Sequence, residues 1–280
     1  NIKNQKWGSS VAFFDMDGTL TPHRKKITSY VCKELEKLSE HAHIAIVTGS
    51  PIGYLLEQCD ALWANPGGLD ATRLTLMPCN GTQVYSWTGA GWECVHDKNI
   101  KEEIGHENYR SIVVDALGLQ ESILRERPEL PITGNFLSYR GSLLNWCMIG
   151  RDASHEDRAS FVELDEKYKI RENLRSLLKQ KLNDAGIKNV TLALGGSTSI
   201  DIYPSGWSKI YALKHCSFET KKWFVGDKCD GNGNDSAIYR VLATDGIECV
   251  IPGGSSYKTV GPTQTIGIIQ EITKRIQEMK

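Results

Sequence analysis

The stretch Val11-Ala-Phe-Phe-Asp15-Met-Asp17-Gly18-Thr19-Leu-Thr21 is an apolar run that stops at two carboxylates two positions apart and a glycine. A short apolar run ended by a turn reads as a buried strand. Side chains at i and i+2 of a strand share a face, so Asp15 and Asp17 leave the strand mouth toward one place, and Gly18 permits a sharp exit. One carboxylate can then attack while the other handles a proton. Aspartate is a competent nucleophile toward phosphorus, and the resulting aspartyl phosphate needs a cation nearby to offset its charge. The same D-x-D-G pattern also occurs in solvated turns, so the elements around it must decide between the two.

Downstream, Ile27, Val31, Leu35 and Leu38 recur at helical spacing, and His43-Ile-Ala-Ile-Val47 is a second short apolar run. Strand, helix and strand predict a parallel βαβ unit. The second strand stops at Thr48-Gly49-Ser50-Pro51, hydroxyls and a glycine before a proline that suits a first helical turn. Such a helix start is either an ordinary cap or a set of unpaired N–H groups facing an anion. From about Ser86 to Ser205 the texture changes. A turn-rich stretch at Thr88-Gly-Ala-Gly91 precedes a helix marked by Tyr109, Ile112, Val113, Ala116 and Leu117. Apolar runs at 136–149 follow, then helices at 154–165 and through Ile170, Leu174, Leu177, Leu178 and Leu182, and strands near 190–194 and 199–203. Helices and strands in that order predict an inserted α+β module with an antiparallel sheet. Past Trp207, strands at Lys222-Trp-Phe-Val225 and Glu248-Cys-Val-Ile251 and a helix through Ile269, Ile272, Ile276 and Met279 restore the α/β texture. The expected division is therefore a core at 1–85 and 206–280, with an inserted domain at 86–205.

Bulk properties narrow the function. The 280 residues suffice for two modest domains, and 33 Lys+Arg against 34 Asp+Glu give a formal net charge of −1. No global field favours nucleic acid or a membrane surface, so any anion site must be local. Eight cysteines without C-x-x-C pairs or zinc-type His spacing predict free thiols in a reducing compartment. No apolar run approaches the ~18 residues of a spanning helix, and Asn1-Ile-Lys-Asn-Gln-Lys6 lacks the apolar part of a signal peptide. A cytoplasmic protein is expected.

The strand at 222–225 also ends in a carboxylate, Gly226-Asp227-Lys228, followed by Gly231-Asn-Gly-Asn-Asp235. Two acidic strand ends on one parallel sheet point to a single site, because open α/β sheets bind ligands at the carboxyl ends of their strands. Mg²⁺ takes oxygen ligands from one or two carboxylates, waters and phosphate. Asp15, Asp227 and Asp235 can supply that shell, with a backbone carbonyl from Asp17.

Together, D-x-D-G-T, the hydroxyl-bearing turn after the next strand, a later lysine and G-D…G-N-D resemble the motifs of the haloacid dehalogenase superfamily. Its fold is a Rossmann-like parallel-sheet core with an inserted cap. The resemblance extends to eukaryotic-type phosphomannomutases over about residues 11–240. Its carriers are Phe14 to Ile27 with Arg24, Asn80-Gly81, Tyr139-Arg140-Gly-Ser-Leu-Leu-Asn145, Ile149-Gly150-Arg151, Glu156-Asp157-Arg158, Gly195-Gly196…Ser199-Ile-Asp201 with Pro204-Ser-Gly-Trp207-Ser-Lys209, and Gly226-Asp227…Gly233-Asn-Asp235.

This resemblance implies that Asp15 is the nucleophile, that Asp17 is the acid/base, and that Lys209 relieves phosphoryl charge. Asp15, Asp17, Asp227 and Asp235 would hold Mg²⁺, and Ser50 would meet phosphate, although Thr48 stands where the family has glycine. Arg140, Arg151 and Arg158 would grip a distal phosphate, Ser199 and Asp201 would meet sugar hydroxyls, and Arg24 would assist. The implied reaction interconverts mannose 6-phosphate and mannose 1-phosphate through a hexose 1,6-bisphosphate, which also serves as activator, and supplies GDP-mannose synthesis. Sugar phosphates would be the partners, and a homodimer would form through the cap, with apolar residues 143–148 as one candidate strand. A magnesium-dependent sugar-phosphate phosphatase on the same scaffold is the alternative. Trp146-Cys147-Met148 departs from the family's usual Val-Ser-Pro.

Overall fold

The computed structural model describes residues 7–243 and 254–279, so the strand expected at Glu248-Cys-Val-Ile251 lies outside the described residues. The chain forms two compact units, one from residues up to Asp97 and from Gly206 onward, the other from Lys98–Ser205. In chain order the first segment gives β1 (Ser10–Phe14), α1 (Ser29–Ser39), β2 (His43–Val47), α2 (Ile52–Cys59), the single-turn α3 (Ala61–Ala64), β3 (Leu74–Met77), β4 (Gln83–Trp87) and β5 (Trp92–Asp97). The second unit contains α4 (Ile100–Ile104), α5 (His106–Glu126), β6 (Leu137–Tyr139), β7 (Leu144–Cys147), α6 (His155–Tyr168), α7 (Ile170–Asp184), β8 (Val190–Gly195) and β9 (Ser199–Pro204). The last segment adds β10 (Lys221–Gly226), α8 (Ser236–Leu242), β11 (Gly254–Lys258) and α9 (Pro262–Glu278) to the first unit.

The first unit is a sheet in the order β11-β10-β1-β2-β3-β4-β5, parallel from β11 to β3 and antiparallel beyond. Every residue of β1 is buried, as expected for a strand covered on both faces. Alternation divides it: Ala12 and Phe14 join the core under α1 and α9, whereas Val11 and Phe13 join the core that includes Ile238 and Leu242 of α8. The chain leaves β1 for β2 and β3 on one side and later returns to β10 on the other. The carboxyl ends of β10, β1 and β2 therefore open at a topological switch point, where such sheets bind ligands.

One boundary differs from the sequence expectation. Residues 86–97 belong to the first unit rather than to the insert. They complete a hairpin in which Thr88 N–H donates to Gly91 O at 3.1 Å, and β4 pairs antiparallel with β3. Trp92, packed edge-on to Trp63 and Trp87, anchors the hairpin to the first core. The turn signal was thus real, but it joins two core strands.

In the second unit, β6-β7-β9-β8 form an antiparallel sheet. Leu144, Trp146, Ile200, Ile202 and Leu192 pack with Ile112, Ala116 and Ile123 of α5 and Leu174, Leu178 and Leu182 of α7. The indole N–H of Trp146 donates to Gln120 Oε1 at 2.8 Å, and Gln120 donates on to Met148 O at 2.9 Å. This satisfies the polar atoms of a wholly buried residue. The same burial removes residues 144–148 as a dimer surface, Leu143 being half-buried. β7 is an interior strand, and Leu144, Trp146, Cys147 and Met148 are at most 2% exposed.

Two histidines brace the first unit in neutral form. His43 stacks on Trp7 with ring centroids 5.0 Å apart, and its Nε2 lies 2.7 Å from Thr75 Oγ1. His215 Nε2 donates to Gly81 O at 2.7 Å. Burial lowers each from 6.5 to about 4, aided at His43 by Arg73. The unfolded chain therefore binds these protons first. Their contribution is complete above about pH 6.5 and is lost as pH falls toward 4, by up to ~3 kcal/mol each. Denaturant melts of His43→Gln across pH 4–8 should show a shallower acid limb than wild type; an unchanged slope would refute the assignment.

Candidate active site

The site is assembled at the carboxyl ends of β1 and β10, paired with Phe14 opposite Val225. The strand pair ends in Asp15 and Asp227, and Asp235 comes from the loop that enters α8. Oxygens of Asp15, Asp227 and Asp235 all lie within 4.8 Å of one another. Gly18, at φ 79°, makes this approach feasible, because a Cβ there would collide with the Asp227 carboxylate. Lys209 opens a 3-10 segment, Lys209–His215, and is completely buried. Its ammonium donates to both Asp15 Oδ1 and Asp235 Oδ1. Thr19 Oγ1 donates to Asp15 Oδ2 at 3.1 Å.

Electrostatics shows what this cluster requires. Burial pushes the Asp15 carboxyl up to about 7, with Lys209 opposing the rise and Asp235 adding to it. Burial works against the Lys209 ammonium, but Asp15 and Asp235 outweigh it and hold the group above the ordinary lysine value. Three carboxylates face one ammonium, leaving two negative charges unbalanced when all are ionised. An all-oxygen donor set with that deficit fits a hard divalent cation.

The Asp17 side chain stands apart from this triad. Its Oδ1 accepts from the Arg24 backbone N–H at 2.9 Å and from Gln58 Nε2 at 2.8 Å, while the Arg24 guanidinium lies 3.7 Å from its Oδ2. The guanidinium also sits over the Tyr54 ring at 4.1 Å and reaches Ser50 Oγ at 3.4 Å. Thr48 Oγ1 is occupied in accepting the Ser50 N–H at 3.1 Å, and Thr48 is buried. Ser50 is thus the more accessible hydroxyl of this turn. Sequence reasoning did not single out Gln58. The available sign was an amide among the apolar positions of α2, between Leu55 and Cys59, where burial demands a partner.

The second unit holds the remaining predicted residues. Arg151 Nη1 donates to Asn145 Oδ1 at 3.2 Å, and Asn145 Nδ2 donates to Asp201 Oδ1 at 2.7 Å. Burial raises the Asp201 carboxyl, opposed by the Asn145 hydrogen bond and by the charges of Arg140 and Arg151. Gly195 makes room for it, since a Cβ there would lie 2.5 Å from Asp201 Oδ2. Arg158 is engaged with its own unit, donating to Ala153 O, Arg151 O and Thr198 Oγ1 at 3.2, 2.8 and 3.0 Å. Ser199 is 2% exposed, unlike the half-buried Asp201 on the same strand. The structure therefore brings Arg140, Arg151 and Asp201 into one electrostatic group, and Arg158 is joined to it through its hydrogen bond to the Arg151 carbonyl.

A parallel sheet of this order, with acidic strand ends and a separate antiparallel-sheet insert, defines the haloacid dehalogenase fold. A sequence model of the eukaryotic phosphomannomutases matches residues 31–272, and the chain belongs to that family. It is 32% identical to the phosphomannomutase of Saccharomyces cerevisiae over 94% of each chain. It is 31% identical to that of Encephalitozoon cuniculi over 92% of this chain and 95% of the other. Among solved structures, the IMP-nucleotidase of Plasmodium falciparum shares the fold at a TM-score of 0.61 and 12% identity, covering 98% of this chain and 70% of that one. No helix among the described residues is long and apolar enough to cross a membrane.

Replacing Lys209 with Met leaves Asp15 and Asp235 buried without their ammonium. Breaking such a cluster costs roughly 3–5 kcal/mol. Thermal melts without added metal should show a larger loss at pH 8 than at pH 6, where Asp15 can take up a proton. Equal losses at both pH values would contradict the coupling.

Proposed function

We propose that this chain interconverts mannose 6-phosphate and mannose 1-phosphate, with Asp15 as the nucleophile. The observation that carries the reading is the Asp15–Lys209–Asp235 cluster beside Asp227, at the switch point of a family member's sheet. Asp15 Oδ attacks phosphorus of a hexose 1,6-bisphosphate, the P–O bond to the sugar breaks, and an aspartyl phosphate forms. Asp17 protonates the departing sugar oxygen. In the reverse sense it removes a proton from the hydroxyl that attacks the aspartyl phosphate. The Gln58 and Arg24 hydrogen bonds hold its carboxylate in place for both directions. Lys209 stays protonated and offsets charge on the transferring group. Mg²⁺, held by Asp15, Asp227 and Asp235 with Asp17 contributing its backbone carbonyl, would neutralise phosphoryl oxygens when bound. Ser50 and Arg24 offer a hydroxyl and a guanidinium to the same phosphate.

A mutase also needs a grip on the phosphate that is not reacting, because the bisphosphate must be retained and turned end for end. Arg140 and Arg151 supply fork-shaped donors suited to that phosphate, and Asp201 supplies an acceptor for a sugar hydroxyl. Arg158 would add a third guanidinium to that grip, and it also donates to the Arg151 carbonyl. Hexose 1,6-bisphosphate is the activator in this scheme, GDP-mannose synthesis consumes the product, and a cytoplasmic homodimer is the expected state.

Mannose 1-phosphate supplied with Mg²⁺ and catalytic mannose 1,6-bisphosphate should yield mannose 6-phosphate as the main product. Free phosphate as the dominant product would overturn the reading. Asp15→Asn should lower isomerisation by about three orders of magnitude or more, as loss of a nucleophile does. Asp227→Asn should weaken Mg²⁺ binding measured by calorimetry, and unchanged affinity would remove Asp227 from the metal shell.

A further inference from the structure

On the helix-free face of the second unit's sheet, strand register aligns Ser138, Asn145, Asp201 and Ala193 in a row across β6, β7, β9 and β8. Ser138, Asp201 and Ala193 are each partly exposed. Asn145 is different, a polar side chain only 3% exposed. A buried amide must have both ends partnered or destabilise the fold, and Asn145 spends one end on each of two residues expected to touch substrate.

Its orientation is forced. A guanidinium can only donate and an ionised carboxylate can only accept, so the amide oxygen must face Arg151 and the amide nitrogen must face Asp201. The observed 3.2 and 2.7 Å contacts follow that assignment. No acid, hydrocarbon or base of this length could serve both. Cross-strand pairing supports the contact, since Asn145 lies directly opposite Asp201. On the other flank Gly195 leaves space for Asp201 Oδ2, so the carboxylate is fixed from both sides.

We propose that Asn145 is a positioning residue that fixes the spacing between the phosphate-gripping Arg151 guanidinium and the hydroxyl-accepting Asp201 carboxylate. The inference rests on the mutase reading and deepens it by assigning the ruler for a hexose phosphate. Arg151 is exposed, with a long flexible side chain, and without the amide it would lose its tether. Asp201 would lose its neutral donor and face the guanidinium directly, so the two groups would pair with each other rather than with a phosphate and a hydroxyl.

The test compares wild type with Asn145→Ala, Asn145→Asp and the exchange Asn145→Asp/Asp201→Asn. The measurements are KM and kcat for mannose 1-phosphate and the melting temperature of each protein. Loss of a hydrogen bond to a charged group predicts a rise in KM of about tenfold or more for Asn145→Ala, with a smaller change in kcat. Asn145→Asp should be worse, because two carboxylates then face each other. The exchange should recover part of that loss, since a donor and an acceptor again oppose one another and residue 145 still accepts from Arg151. A KM within twofold of wild type for Asn145→Ala overturns the proposal. So does a fall confined to kcat that tracks the melting temperature, which would mark a purely structural role. If Asn145→Ala fails to fold, the exchange against Asn145→Asp decides, and absence of any recovery overturns the proposal. A wild-type protein that does not isomerise refutes the mutase reading alone. In that case calorimetric binding of mannose 6-phosphate to wild type and Asn145→Ala judges the ruler, with equal affinities counting against it.

Discussion

The structure of the first unit depends on one constraint: a lysine with no exposed surface must find anions, and two buried aspartates must find a cation. Lys209 joins a residue at the end of β1 to one in the loop before α8, nearly two hundred residues apart in sequence for the first pair. Neither partner is affordable alone, because an isolated charge in the interior costs several kcal/mol. The cluster therefore ties together three segments that lie far apart in sequence. Within it, burial raises the Asp15 carboxyl and the ammonium opposes that rise.

Much of this was legible in the sequence, for a physical reason. Strand ends in a parallel sheet are marked abruptly, since an all-apolar run such as Val11 to Phe14 must stop where the backbone reaches solvent or a ligand. The carboxylates at 15 and 227 therefore announced both the sheet and the site. The hairpin at 83–97 was harder. Its strands pair with an edge of the sheet, keep one side partly exposed, and include Glu93, Cys94 and Val95 as exposed residues, so they lack the buried-run signature of β1. A glycine-rich turn there is compatible with either unit, and only the packing of Trp92 against Trp63 resolves it.

Side-chain partnerships were legible to different degrees. The charged groups were named because charge is conspicuous. Of the amides that orient them, Gln58 for Asp17 was not named and Asn145 for Asp201 and Arg151 appeared only within a motif of the family resemblance, because a sequence does not say which partner an amide meets. Their roles emerge only when burial forces each amide to declare its partners. Arg158 illustrates the converse. Three arginines within a short window look equivalent in sequence, and the fold adds that Arg158 donates to Ala153, Arg151 and Thr198 within its own unit.

The two units divide the chemistry along physical lines. The first carries its acidic groups at parallel strand ends, where one dense ionic cluster fixes Asp15. The second carries recognition groups on the open face of an antiparallel sheet, where a neutral amide and a missing side chain at Gly195 hold a carboxylate beside cationic arginines without neutralising it. A direct Arg151–Asp201 salt bridge would be simpler and would leave neither group free for substrate. Interposing an amide instead keeps the guanidinium and the carboxylate apart, each held by a hydrogen bond to an uncharged side chain.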